Sequence, residues 1–457
     1  MKKVILFGAG NYYQKYKKYI EDKIVAICDN SIQKQGRVID CHLVISPDEI
    51  MDYNPDSIII LSLFVNEIRE QLLGLGIPLS RIRAFYEINC SKKIDEYRYY
   101  NTDSVMTNEK KDSILVITHE LSFSGAPIAL LDAVKQLKIL GYYVTVASPD
   151  DGDMREKFLL SCDQIIIDEK LRYSKLSELD WANEYKLIFV NTIRLFYLLR
   201  DLNLLKRVIW WLHEPECYYM SVDSRCLCEL DYSRISVCAV SEVARVAFLK
   251  CCRIPHCLIL PYGKGDSPRK KRVINYMKLN CVVIGSISKL KGHNYVVEAI
   301  QRIIRNGYTN VSVCFIGDDT TLFAQQLKEK VSADNLPIFF AGKLDNHETL
   351  SIIEDSNLLI CSSEVECLSV SITEGMMKGV ACLIPNTAGN CSYVTDKWDG
   401  VIFKACDADD LFHKLVWCIN NIDRLEMIGK NGRRLFDYYF SIERFRLALS
   451  EVLSNMK

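Results

Sequence analysis

The chain has 457 residues, and its 57 lysines and arginines against 58 aspartates and glutamates leave a formal net charge of −1, so no global field points to nucleic acid or to a strongly charged partner. Hydrophobic residues make up 49% and charged residues 25%, the balance of a soluble globular protein long enough for about three domains of roughly 150 residues. No apolar run reaches the ~18–20 residues that a membrane-crossing helix needs.

The opening "MKKVILFGAG" has two lysines before an apolar run, but glycines break that run after four residues, so it reads as a β-strand and not as a leader. Short apolar strands then alternate with helix-length amphipathic segments, the signature of parallel α/β sheets. The first unit, residues 1–90, runs from "VILFGAGNYYQKY" through "KIVAICDN" to "SIIILSLFV", taken as one buried strand over Ser57 to Val65. Gly8 and Gly10 after the first strand, with Asp29 ending the second, outline a dinucleotide fingerprint. The third glycine is replaced by Tyr13, which is expected to crowd the helix against the strand, so a structural or docking role is favoured over bound NAD. The polar, aperiodic segment at 91–112 reads as a linker, which predicts that residues 1–90 fold on their own.

A second unit, 113–266, opens on "SILVITHE", continues through the glycine-bearing loop "LSFSGAP" and a helix, and adds the strands "KLIFVNT", "RVIWWLHE" and "ISVCAVS". Between two of these, "RLFYLLRDLNLLKR" is expected to be a packed helix. The third unit, 267–457, follows the basic run "SPRKKR" (267–272), read as the cover of an inter-domain linker; attraction to anionic lipid headgroups is the alternative. Its strands are "CVVIG", "VSVCFIG", "IFFAG", "NLLICSS" and "ACLIP". "DGD" (151–153) and "DAD" (407–409) read as solvated turns and not as a metal site. The 19 cysteines show no C-x-x-C pair and no zinc-site spacing, which suits reduced structural thiols.

Chemistry concentrates in the third unit. Gly285 and Ser286 follow a strand directly, and Lys291 with Gly292 precedes a helix, where a lysine beside free backbone N–H groups suits a phosphate. In "SSEVECLSVSITEGMMKG", Glu366 falls in a loop leaving the sheet and Glu374 within the next helix. Backbone N–H groups from Leu368 through Ser369 to Val370 lie between them and suit a diphosphate. A carboxylate at Glu374 suits the paired hydroxyls of a ribose. The ligand so outlined has a sugar, a diphosphate and a nucleoside.

These residues resemble the retaining glycosyltransferases of family 4, of GT-B fold, over roughly Ser113 to Lys457: the E-x7-E pair Glu366/Glu374, the G-x5-KG run Gly285 to Gly292, "SE" at Ser241/Glu242, "PYGKGD" and "IGDD". The first unit resembles the small Rossmann-like domains attached to many bacterial sugar-modifying enzymes. The resemblance implies an α/β protein with two facing Rossmann-like domains, the acceptor domain at 113–266 and the donor domain at 267–457, preceded by a small Rossmann-like α/β domain. A last helix at about 441–457 would pack back on the N-terminal half. It implies that Glu374 holds the ribose, that Lys291 stabilises the departing diphosphate, that Glu366 faces the donor sugar, and that His213 touches the sugar from the other domain. Gly285, Ser286, Cys367, Leu368, Ser369 and Val370 would line the donor, and Gly125 would let a loop approach donor or acceptor closely.

The implied reaction is sugar transfer from a nucleotide-sugar to a carbohydrate, lipid-linked or protein acceptor with retention, in cell-surface polysaccharide or glycoconjugate synthesis. It would take place in the cytoplasm, with peripheral contact at the inner face of the membrane, without metal or cofactor, and with residues 1–90 free to dock a partner. The chain departs from the family at Ser286, where arginine is common, at Cys367 and Ser369, where glycines are, and at Ser392, where glutamate is. A nucleotide-sugar epimerase and a non-catalytic partner subunit stay open as alternatives.

Overall fold

The computed structural model of the chain describes residues 2–88, 97–101, 112–202, 206–254, 256–268 and 275–456. Most of the expected linker at 91–112 and of the basic run at 267–272 lies outside the described residues. The chain forms two compact units, Met1–Cys238 with Ala247–Leu258, and Ala239–Val246 with Ile259–Lys457.

The first unit holds two sheets. One contains β1 (Lys3–Phe7), β2 (Lys23–Cys28), β3 (Val38–Ile39), β4 (His42–Ile45), β5 (Ser57–Ile60) and β6 (Ile82–Ala84) in the order β3-β4-β2-β1-β5-β6. β1 is parallel to both β2 and β5, and its "VILF" is buried throughout, as expected of a strand covered on both faces. The other sheet contains β7 (Arg98–Asn101), β8 (Ser113–Ile117), β9 (Tyr143–Ser148), β10 (Gln164–Ile167), β11 (Leu187–Asn191), β12 (Arg207–Leu212), β13 (Ile235–Ala239) and β14 (Leu258–Ile259), in the order β14-β13-β12-β11-β8-β9-β10-β7. The second unit is built on β15 (Leu279–Ile284), β16 (Val311–Ile316), β17 (Ile338–Gly342), β18 (Leu358–Ile360), β19 (Ala381–Pro385) and β20 (Val401–Phe403), all parallel, in the order β17-β16-β15-β18-β19-β20.

Several sequence expectations change. The apolar run Ser57 to Val65 is not one strand: β5 stops at Ile60, Phe64 is exposed, and Val65 opens a helix to Gly74. Within the expected linker, Arg98–Asn101 adds an antiparallel edge strand beside β10. The segment from Arg194 is packed as expected, as a short buried 3-10 helix, Ile193–Leu199. Tyr13 does not push helix from strand. The helix there spans only Asn11–Tyr16, and the buried Tyr13 ring sends its hydroxyl to Asp40 Oδ2 at 2.9 Å.

Residues 1–90 build the first of these sheets and pack against elements of the second within one unit. A single hydrophobic cluster runs from Val4, Tyr16 and Phe85 to Tyr173, Phe196 and Leu227. The Tyr86 ring stacks on Tyr197 at 5.7 Å, and Phe85 meets it edge-on at 6.0 Å. Inside this contact Arg69 pairs with Asp223 at 2.8 Å, and the Tyr86 hydroxyl donates to the same carboxylate at 2.7 Å. Burial would raise the Asp223 pKa, but Tyr86 and Arg69 outweigh it and hold the carboxyl low. Both halves of this buried pair come from elements that the linker reading had separated.

Candidate functional site

In the second unit, β15 ends at Ile284 and is followed by Gly285, whose φ of +141° only glycine adopts readily. The loop that follows returns against the end of β18. Gly292 has φ +67°, and a Cβ there would lie 1.9 Å from the Ser362 carbonyl oxygen. The Ser362 hydroxyl donates to the Lys291 carbonyl at 2.8 Å. The lysine–glycine pair is therefore a close backbone contact that fixes where Lys291 starts. The helix His293–Arg305 then leaves with an apolar face in the core.

Lys291 Nζ is ion-paired with Glu366 Oε1, and the Ser363 hydroxyl donates to the same oxygen at 2.8 Å. Glu366 is held by its backbone as well, for its carbonyl accepts the Gly389 N–H at 2.8 Å. A Cβ on Gly389 would lie 1.7 Å from the Cys367 carbonyl oxygen, so this second close approach locks the Glu366 loop from below.

Ser369 caps the helix Val370–Lys378 by accepting the Ile372 N–H. Its own N–H donates to Asn390 Oδ1 at 2.7 Å, and Asn390 Nδ2 donates to Thr373 Oγ1 at 3.3 Å. The first-turn N–H groups of Val370 and Ser371 have no acceptor within the helix and carry its positive end. Cys367 and Leu368 are buried in the loop. The Leu368 carbonyl accepts the Tyr262 hydroxyl at 3.3 Å.

Glu374 lies one turn further along this helix and is buried. Its Oε1 pairs with Lys264 Nζ at 3.0 Å and accepts from Asn346 Nδ2 at 3.2 Å. The structure thus gathers Lys264, Lys291, Asn346, Glu366, Ser369 and Glu374 in one unit, with Gly285 and the exposed Ser286 at the end of β15. Lys264, Asn346 and Asn390 were not singled out from the sequence. Lys264 stood in the quoted "PYGKGD", and a lysine there was the signal to follow; isolated asparagines in polar loops give none.

His213 and Gly125 lie in the first unit. Gly125 opens the helix Gly125–Ile139, and a Cβ built on it meets no atom of the described residues within 4 Å. His213 follows β12, its ring edge-on to Trp211 at 4.5 Å, and its backbone N–H donates to Glu214 Oε2 at 3.0 Å. Burial, with a smaller contribution from His119, pushes its pKa down to about 3, so the imidazole is neutral at physiological pH. Its Nε2 is buried with no hydrogen-bond partner among the described residues, and so are both amide atoms of Asn191 at the end of β11. Hydrogen bonding to His119, with Ser122 and Ser124, holds Glu120 at about 2 against burial. The carboxyl ends of β8, β11 and β12 thus present a polar set.

The two Asp-x-Asp runs are structural. Asp151 accepts the Gly152 N–H at 2.8 Å and pairs with Arg155 at 2.6 Å, while Asp407 caps the helix Ala408–Asn420.

Residues 266–435 match the family model described as Glycosyl transferases group 1, residues 110–257 that of Glycosyl-transferase family 4, and residues 1–83 that of C2185-like, N-terminal. Over 181 residues the chain is 25% identical to the UDP-Gal:alpha-D-GlcNAc-diphosphoundecaprenol alpha-1,3-galactosyltransferase of Escherichia coli, covering 39% of this chain and 46% of that one. An uncharacterized glycosyltransferase of Methanocaldococcus jannaschii is 25% identical over 38% of this chain and 44% of its own. The chain spans less than half the length of these curated relatives. Among solved structures, Anabaena Alr3699/HepE in complex with UDP and glucose superposes with a TM-score of 0.62 at 16% identity, covering 75% of this chain and all of that one. Sucrose-phosphate synthase from Thermosynechococcus elongatus gives 0.58 at 16% identity, covering 76% of this chain and 99% of that one. The fold of the last three quarters of the chain is GT-B.

Proposed function

We propose that this chain of GT-B fold, with its group 1 and family 4 glycosyltransferase domains, is a glycosyltransferase that moves a sugar from a nucleotide-sugar to an acceptor hydroxyl with retention of anomeric configuration. The observation that carries the reading is the Lys291–Glu366 ion pair next to the capped N-terminus of the helix that bears the buried Glu374.

In this reading the bond between the anomeric carbon and the diphosphate oxygen breaks. The charge that develops on the diphosphate is met by Lys291 and by the Val370 and Ser371 N–H groups. Glu366 faces the sugar as positive charge develops there. The acceptor oxygen bonds to the anomeric carbon on the face the diphosphate leaves, and its proton passes to the departing phosphate oxygen. Glu374, oriented by Lys264 and Asn346, has acceptor capacity left on its carboxylate for ribose hydroxyls. His213 and Gly125 keep the roles that the family resemblance implies. The E. coli relative, which takes UDP-Gal and a diphosphoundecaprenol-linked acceptor, supports a nucleotide-sugar donor and a lipid-linked acceptor in the same class of chemistry. Among the described residues no helix is long and apolar enough to cross a membrane.

The test is the anomeric configuration of the product made from an α-configured donor, read by proton NMR as the reaction starts. Retention gives an α-product from the first turnover; a β-product would exclude the proposed geometry. Interconversion of the donor sugar without transfer would instead favour an epimerase.

A further inference from the structure

The first unit contains a cavity of about 450 Å3 at the carboxyl ends of β1, β2 and β5, lined in part by Gly10, Tyr12, Asp29, Lys34, Phe64 and Gln71. In this sheet β2 lies on one side of β1 and β5 on the other. The cavity therefore opens at the point where strand order reverses, the place where open α/β sheets take their ligands.

Two glycines of the wall differ in a way that points outward. Gly8 is explained by the fold: its φ is +115°, and a Cβ would lie 2.5 Å from the Leu61 carbonyl oxygen. Gly10 is not explained so. Its φ of −110° and ψ of −153° suit any residue, and a Cβ there meets no atom of the described residues within 4 Å. Among the described residues nothing requires a glycine at position 10, whereas a ligand lying close against the backbone does.

Four polar side chains of the wall, Asp29, Asn30, Lys34 and Gln71, are held in place by their neighbours. Asp29 Oδ2 accepts the Ala9 N–H at 2.8 Å and pairs with Lys34 at 2.9 Å, while Oδ1 accepts the Ser31 N–H at 2.8 Å. The carboxylate thus ties the glycine turn to a cation and keeps lone pairs for hydroxyl donors. Asn30 and Gln71 join in a reciprocal amide pair at 3.0 Å in both directions. Tyr12 is braced on Tyr16 at 5.4 Å and Phe85 at 5.1 Å, and Phe64 is 47% exposed, so aromatic faces are available to a flat base. The volume lies toward the lower end of the ~300–1,000 Å3 typical of small-molecule sites and has room for one nucleotide.

We propose that this cavity binds a nucleoside 5′-phosphate, with the phosphate at the Gly10 turn and Lys34, the ribose hydroxyls on Asp29, and the base against Tyr12 and Phe64. Hydrogen exchange of the full chain, read by mass spectrometry with AMP or UMP at millimolar concentration, localises binding to one unit or the other. Slowed exchange over residues 7–14 and 60–72 is expected, and Gly10→Val, which has open space for its side chain, should keep the wild-type melting temperature and abolish the effect. If that variant is destabilised, Lys34→Met replaces it and should weaken the nucleotide at least tenfold. The proposal is overturned if neither nucleotide slows exchange in these peptides, if Gly10→Val and Lys34→Met respond as wild type does, or if NAD protects them while AMP and UMP do not.

Discussion

Lys264 and Glu374 form an ion pair with side chains only 16% and 6% exposed, so removing one partner strands a charge. Opening a buried pair costs about 3–5 kcal/mol, and the partial exposure of Lys264 places Lys264→Met near the lower end, at about 3 kcal/mol. Glu374→Gln, which keeps the shape and leaves Lys264 uncompensated, should lose a similar amount. The double variant removes both charges and should recover about 2 kcal/mol of the summed losses as coupling energy. Binding should behave otherwise. Charge-assisted hydrogen bonds contribute roughly 1.5–3 kcal/mol, so both variants lacking the Glu374 carboxylate should bind nucleoside diphosphate about ten- to a hundredfold more weakly. Urea unfolding measures the first quantity and calorimetric titration the second. Recovery of stability without recovery of binding is the expected pattern. If Glu374→Gln binds nucleoside diphosphate like the wild type, Glu374 is only a structural partner of Lys264, and the ribose assignment is wrong.

Glu366→Gln keeps the loop but removes the charge paired with Lys291, so kcat should fall about a hundredfold with KM little changed. Steady-state kinetics on the preferred donor check this. His213, with a folded pKa of about 3 against 6.5 unfolded, leaves the unfolded state to take the proton first, so stability should fall as pH drops from about 6.5 toward 3, by about 2 kcal/mol at pH ~5. Melting curves across that range should flatten in His213→Asn. Removing residues 1–88 would expose Phe196 and Tyr197 and leave Asp223 without Arg69 and Tyr86, so the remainder should be recovered insoluble. Asp223→Ala in the full chain should cost about 3–5 kcal/mol in urea unfolding.

The strands were legible because fully buried parallel strands write themselves as short apolar runs, as in "VILF", "CVVI" and "NLLI". That signal carries no stop, so Ser57 to Val65 merged a strand with the helix start after it. The edge strand at Arg98 was hidden by its composition, "RYYN", which an exposed antiparallel edge tolerates and a core strand does not. Glu366, Glu374 and Lys291 were singled out on the family resemblance, since the spacing of two glutamates alone arises by chance. Their orientation was not legible, since it depends on Asn390, Asn346 and Lys264, whose partners lie between 17 and 110 residues away in sequence. The shared core of the first ninety residues was missed for the same reason. Only the tertiary structure shows that Tyr16, Phe85 and Tyr86 share a cluster with Tyr173, Phe196 and Tyr197.

The most direct measurement is release of nucleoside diphosphate from a panel of nucleotide-sugars by the purified 457-residue chain. The donor assignment predicts slow hydrolysis of at least one member without acceptor, faster release when a matching acceptor is added, and loss of both in Lys291→Met with the fold intact. Release from no member of the panel, or release that Lys291→Met leaves at the wild-type rate, would contradict it.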